Sequence, residues 1–304
     1  MKTNYEQIVD VTKIGQHSAV DMNGIFAMAE QERFTASIDD SPRRLLLCID
    51  VQKDFIEGGA LGVEGSIGDV ERMTRFIYNN IEGISSIMCS LDTHIAHQIF
   101  HPCWWVNSAG DHPDPYTIIS YDDVVNNRWR PVIGNPKDSI QYLKELEKAG
   151  AGKKQLCIWP YHCIKGTDGN SLENEFAKMV YFHSVARKCV DHMIPKGEDP
   201  YSEMYGIIKP EYSKKNFLNT PVLTAIEKYD EIYVVGEAAS HCLMESVKQI
   251  AEHFANRPEV TQKITILEDC TSPIGGFEAD TAAAFDNFKN SYGIKFAKST
   301  DIQF

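Results

Sequence analysis

Cys242 ends the run Gly236-Glu237-Ala238-Ala239-Ser240-His241-Cys242, in which small residues follow an apolar stretch and lead into a helical pattern. A thiol so placed opens a helix. There the helix dipole stabilises a thiolate, and free backbone N–H groups can receive an oxyanion. The chemistry would be nucleophilic attack; the plainer alternative is a buried cysteine in a tight turn. Asp50 follows another apolar run directly, in Asp50-Val51-Gln52-Lys53-Asp54-Phe55. Taken alone, such an acid could equally cap a helix or sit solvated in a loop. Asp92-Thr93-His94 ends a third run, and His162 stands in Trp159-Pro160-Tyr161-His162-Cys163. An Asp and a His two residues apart on an extended segment can aim at one point, which suits a divalent metal. Singly, each could be a surface residue. Lys196-Gly197 lies in a polar loop, where an isolated lysine is usually just solvated.

These residues need a scaffold, and the hydrophobic pattern supplies one. Leu45–Ile49, Ile84–Leu91, Gln155–Trp159, Ile232–Gly236, Ile264–Leu267 and Ile294–Ala297 read as strands. The first is a short continuous apolar run, as expected of a strand buried on both faces. Asp69–Ile81, Ser139–Lys148, Ser171–Phe182, His241–Phe254 and Ala279–Asn290 carry helical spacing. Strands alternating with helices imply an α/β fold: a doubly wound, mainly parallel sheet of about six strands with helices on both faces. In such sheets ligands bind at the carboxyl ends of the strands, where Asp50, Asp92, Trp159 and the turn after Gly236 all fall.

Two segments stand outside this alternation. Residues 1–42 are polar and weakly periodic, an N-terminal extension with a short helix expected around Val20–Glu32; residues 43–304 read as one domain. Residues 95–135 are rich in Trp, Pro, Asp and His, and a loop of that length is functional or disordered. Phe100, His101, Trp104 and Trp105 favour a packed insertion, which either walls the pocket at the strand ends or only anchors the loop to the body or buries a subunit interface.

The formal net charge of -13 repels phosphate backbones and anionic lipid, so neither nucleic acid nor a membrane is expected as a partner. The polar first twenty residues show no secretory signal, and none of the eight cysteines forms a CxxC pair. A reduced, cytoplasmic protein without a disulfide framework is expected.

Taken in order, Ile49-Asp50-Val51-Gln52-Lys53-Asp54-Phe55, Leu91-Asp92-Thr93-His94, Trp159-Pro160-Tyr161-His162-Cys163, Lys196-Gly197 with Tyr205-Gly206, and Val235-Gly236 through Cys242 resemble the nicotinamidase branch of the isochorismatase-like cysteine hydrolases. The resemblance runs from about Arg44 to Pro273. It implies a catalytic Cys242, Asp50 and Lys196, with the backbone N–H groups of Ala238 and Cys242 as oxyanion hole and a non-proline cis peptide at Glu237–Ala238. It implies a metal on Asp92, His94 and His162, with zinc first and iron or manganese as alternatives, and His97 or His101 as a candidate further ligand. Phe55, Trp159 and Tyr205 match the aromatic residues that hold the substrate ring in the family.

The reaction implied is hydrolysis of a small-molecule amide through a thioester, in a homo-oligomer. Lys196 and the helix N-terminus would favour the Cys242 thiolate. Lys209 is an alternative lysine, but it follows the tyrosine and precedes Pro210, which biases it to extended backbone. Competing readings are a metal-independent isochorismatase-type hydrolase, against which His94 and His162 argue, and a catalytically silent binding protein on the same fold.

Overall fold

A computed structural model of the chain describes residues 1–148 and 154–304. Its centre is a six-stranded sheet of β1 (Arg44–Ile49), β2 (Ser86–Asp92), β3 (His192–Lys196), β4 (Glu231–Gly236), β5 (Ile264–Leu267) and β6 (Lys295–Ala297). The order is β6-β5-β4-β1-β2-β3, and every pairing is parallel.

Alternation along each strand divides the core into two layers. On β1, Leu46 and Cys48 face one way, into a cluster with Val70, Met73 and Ile77 of α2 (Ser66–Asn79) and with Phe176, Met179 and Val180 of α4 (Asn174–Ala186). Leu45, Leu47 and Ile49 face the other way. They meet Val222 and Ile226 of α5 (Thr220–Glu227), Leu243, Val247 and Ile250 of α6 (Cys242–His253) and Phe288 of α7 (Glu278–Tyr292). At roughly 25 cal/mol per Å² of apolar surface, these two layers are the main source of stability.

The strand expected at Gln155–Trp159 is not in this sheet. Only Leu156–Cys157 is extended, paired antiparallel with Ile118–Ile119. The sixth position belongs to β3, His-Met-Ile-Pro-Lys, an edge strand whose His192 and Pro195 are exposed. An edge strand tolerates proline and carries little apolar pattern, so its sequence reads as loop.

The Trp159 segment belongs instead to a third cluster. Ile99, Phe100, Trp104, Trp105 and Ile119 of the insertion pack on Tyr142, Leu143 and Leu146 of α3 (Pro136–Lys148) and on Leu156 and Ile158. Trp104 and Trp105 are 1% and 0% exposed. Trp104 Nε1 donates to Ser139 Oγ at 3.0 Å and Trp105 Nε1 to the Ile99 carbonyl at 2.6 Å. They hold the insertion on the body and do not line the pocket.

The N-terminal arm lies over α2 and α4. Tyr5, Ile8, Val9, Ile14 and, from α1 (Met22–Ala29), Ile25 and Ala29 enter the first core layer. Polar ties reinforce it: Tyr5 Oη with Thr74 Oγ1 at 2.8 Å, Asp10 N–H to Glu175 Oε2 at 2.8 Å, and Asp40 against the buried Arg187 at 2.5 Å. No helix among the described residues is long and apolar enough to cross a membrane. All eight cysteines are free thiols.

Candidate active site

Four strand ends converge beside one pocket. β1 ends at Asp50, β2 at Asp92, β3 at Lys196, and the turn after β4 delivers Cys242 as the first residue of α6. The turn is tight. Gly236 has φ 115°, and a Cβ there would lie 2.0 Å from the Ile49 carbonyl oxygen, so only glycine lets β4 pass β1 at this point. The Glu237–Ala238 peptide is cis.

Lys196 is the hub. Its amine lies 2.9 Å from Asp50 Oδ2, 3.1 Å from Asp92 Oδ1 and 3.7 Å from Cys242 Sγ, and it donates to the Met204 carbonyl at 3.2 Å. Lys196 and Asp50 are wholly buried. Lys209 is exposed, with its backbone tied to Gln249. Asp50 adopts φ 48° and is fixed by Ser90, whose hydroxyl donates to Oδ1 at 2.6 Å and accepts from the Asp50 N–H at 3.0 Å.

Electrostatics in this cluster differ from the sequence expectation. Burial, seconded by Asp50 and Asp92, pushes the Cys242 thiol well up, against the opposing pull of Lys196. Burial also raises Asp50, with Lys196 opposing and Asp92 adding. The two carboxylates hold Lys196 firmly charged although burial alone would lower it. The sulfur therefore keeps its proton at rest. One lysine shared by two carboxylates does not outweigh the desolvation of the thiolate.

The Cys242 and Ala238 backbone N–H groups have no protein acceptor among the described residues. The neighbouring N–H groups of His241 and Leu243 both turn back to the Ala238 carbonyl, at 3.0 and 3.2 Å.

Beside this cluster, donor atoms of Asp92, His94 and His162 lie within 4.8 Å of one another. His94 Nε2 is 3.0 Å and His162 Nε2 3.7 Å from Asp92 Oδ2. Their Nδ1 atoms face the carbonyls of Gly197 at 3.1 Å and Pro160 at 2.7 Å. An Nδ1–H bonded to a carbonyl leaves the Nε2 lone pair pointing inward, which is how metal-binding imidazoles are oriented. Burial raises the cost to Asp92 of being charged, but His94, Lys196 and His162 more than offset it and hold the carboxyl well below its usual range. The set fits a small divalent ion with positions left open. Gly197, at φ 77°, closes the space behind it: a Cβ would lie 2.6 Å from His94 Cε1 and 2.8 Å from Asp92 Oδ1.

His97 is exposed and lies outside this set. His101 is buried, its ring 6.1 Å from that of His94 and 6.2 Å from that of His162. Burial lowers it to about 3, its Nδ1 faces the Ala96 carbonyl, and its Nε2 has no partner.

A pocket opens between these groups. Phe55, Trp159 and Tyr205 line it, together with Cys242, Asp92, His94 and His162. Trp159 and Tyr205 stand perpendicular, their ring centroids 6.4 Å apart, and Phe55 meets His162 edge-on at 5.6 Å. Of the insertion, Tyr116 reaches the site, edge-on to Trp159 at 6.0 Å.

Three further residues emerge only from the fold. Gln52 clamps Asp92, accepting from its N–H at 2.6 Å and donating to its carbonyl at 2.8 Å. His241 and Glu203 line the pocket. Gln52 sits in the same segment as Asp50 and could have been flagged there. Nothing in the sequence distinguishes Glu203 from a solvated loop acid.

No family model matches the chain. It is similar to the nicotinamidase of Saccharomyces cerevisiae, with 26% identity over 240 residues, covering 76% of this chain and 88% of that protein. It is also similar to the nicotinamidase/pyrazinamidase of Mycobacterium tuberculosis, with 25% identity over 246 residues, covering 79% and 91%. Among solved structures, the yeast nicotinamidase bound to the inhibitor nicotinaldehyde superposes with a TM-score of 0.57 at 19% identity, over 84% of this chain and 99% of that one. A nicotinamidase/pyrazinamidase from Acinetobacter baumanii gives 0.56 at 16% identity, over 86% and 99%. The fold is shared with these structures.

Proposed function

We propose that this chain, a member by sequence similarity and fold of the nicotinamidase/isochorismatase-like cysteine hydrolases, hydrolyses a small amide with Cys242 as nucleophile and a divalent metal as aid. The observation that carries the reading is the position of the Lys196 amine, within 3.7 Å of Cys242 Sγ and 2.9 Å of Asp50, behind a pocket whose wall holds Cys242 and the Asp92, His94 and His162 donors.

Each step follows from these positions. Because the thiol rests protonated, its proton passes to Asp50 as the sulfur attacks the amide carbonyl carbon. The oxyanion is received by the Ala238 and Cys242 N–H groups; losing one such donor typically costs about 3 kcal/mol. Lys196 stays charged and offsets the negative charge that builds up between sulfur and carboxylate. When the tetrahedral species collapses, Asp50 gives its proton to the departing nitrogen, ammonia leaves and a thioester remains. Asp50 then takes a proton from water, the hydroxide adds to the thioester carbon, and collapse returns the proton to sulfur and frees the acid.

Asp92, His94 and His162 would hold the metal, zinc by preference for this mixed nitrogen and oxygen set, with iron or manganese as alternatives. Bound there, it would orient a substrate ring nitrogen or a water. Phe55, Trp159 and Tyr205 would hold a planar ring. An enol-ether hydrolase without metal has no use for two buried histidines aimed at one carboxylate.

Ammonia release from a panel of small amides, nicotinamide first, tests the reading. Turnover of at least one aromatic amide is expected, and none across the panel would end it. Elemental analysis should find about one divalent ion per chain, as such donor sets hold. The ion should be lost in a His94→Ala, His162→Ala double variant. A carefully prepared wild type without metal would show the ligand assignment to be wrong.

A further inference from the structure

Glu203 plays no part in the steps above, yet it is a buried acid on the pocket wall, 6% exposed, in a loop between β3 and α5. Unlike Asp50 and Asp92, it pairs with no cation among the described residues. Lys154, whose amine lies 5.8 Å from the centroid of the Tyr205 ring, is bound to Glu211 and Glu245. Burying a carboxyl without a counter-ion is costly unless hydrogen bonds use it. Glu203 makes such bonds to the aromatic walls. Its Oε1 accepts from Trp159 Nε1 at 2.5 Å, and the same N–H lies 3.3 Å from the Tyr205 hydroxyl. Its own backbone is held at both ends, by the Tyr142 hydroxyl at 3.3 Å and by the Glu211 N–H at 2.9 Å.

An indole has one polar atom, and fixing that atom fixes the rotation of the ring. Trp159 also touches His241 and Tyr116, but both contacts are edge-on and apolar, so neither selects between the two flipped positions of the indole. The carboxyl of Glu203 does. We propose that Glu203 sets ring specificity: by pinning the Trp159 indole it keeps Trp159 and Tyr205 as two perpendicular flat walls beside Cys242, matched to a planar aromatic amide. Burial raises this carboxyl to about 8, with Glu211 adding and its bonds to Tyr205 and Trp159 opposing. The shift favours the uncharged acid at neutral pH, and glutamine, which keeps the accepting oxygen, is its close mimic. Glu203 is a positioning residue, acting on substrate through Trp159.

The inference rests on the proposed amide chemistry, and its test has a second readout that does not. KM and kcat for nicotinamide are measured in wild type, Glu203→Ala and Glu203→Gln. Alkylation of Cys242 by iodoacetamide, a small amide that needs no ring wall, is followed by mass spectrometry, with and without nicotinamide. In Glu203→Ala, KM should rise at least tenfold with kcat within about threefold. Protection of Cys242 by nicotinamide should be lost while the bare alkylation rate stays within about twofold. Glu203→Gln should restore both KM and protection. An unchanged KM in the alanine variant, an alkylation rate that falls with it, or a glutamine variant as impaired as alanine would overturn the proposal. If wild type releases no ammonia from any amide of the panel, the proposed reaction falls and the protection pattern alone decides the role of Glu203. Absence of protection in wild type overturns it.

Discussion

Cys242→Ala should lower turnover at least about 10³-fold, because removing the nucleophile of a catalytic set leaves only binding and the oxyanion donors. The fold should survive. The thiol is small, and the turn that presents it is set by Gly236 and the β1–β4 pairing rather than by the sulfur. Removing the sulfur also relieves Lys196 and Asp50 of a buried neighbour without unpairing either. Steady-state ammonia release and the melting temperature, measured together, check this. A folded variant that retains more than a few per cent of wild-type kcat would show that another group attacks.

Lys196→Met should be the second severe loss, and here stability falls as well. Two carboxylates, Asp50 and Asp92, share that amine at 2.9 and 3.1 Å in a site without solvent. Truncating one partner of a buried ion pair costs about 3–5 kcal/mol, because the other charge stays buried. The pH dependence carries a definite sign. Removing Lys196 removes an influence that lowers both carboxyls, so the raised folded-state pKa of Asp50 rises further and the depressed one of Asp92 moves up toward its ordinary value. A carboxyl raised on folding stabilises the native state below its unfolded pKa and progressively less as pH rises toward the folded value. The melting-temperature gap between Lys196→Met and wild type should therefore narrow from pH 8 to pH 5. Lys209→Ala, on the surface, should keep kcat/KM within about twofold. A Lys196→Met variant with more than a tenth of wild-type kcat/KM, or a gap that widens in acid, would show that the amine plays another part.

Asp50, Asp92 and Cys242 were legible because each ends or follows a strongly apolar run, and ligands in parallel sheets gather where such runs end. Lys196 was legible only by resemblance. Its strand, His192–Lys196, is an edge with two exposed residues, so no hydrophobic pattern announced it. Gln155–Trp159 misled in the opposite way. Its apolar side chains are buried, but in the insertion's own cluster, and an apolar run does not say which core it joins. Trp104 and Trp105 likewise signalled burial but not where. For Cys242, a helix start and a nearby lysine can be read from spacing, whereas the cost of desolvating the thiolate, which outweighs the pull of Lys196, cannot.

The N-terminal arm has a consequence for how copies of this chain can meet. Tyr5, Ile8, Val9, Ile14 and Ile25 occupy the outer faces of α2 and α4, surfaces that would otherwise be a broad apolar patch. A patch of that kind is what a self-complementary interface is commonly built from. With the arm seated, this side of the molecule is closed to a neighbour. A neighbour on this side would meet the arm's outer surface and not the apolar faces of α2 and α4. The arm thus limits the set of quaternary arrangements without touching the pocket.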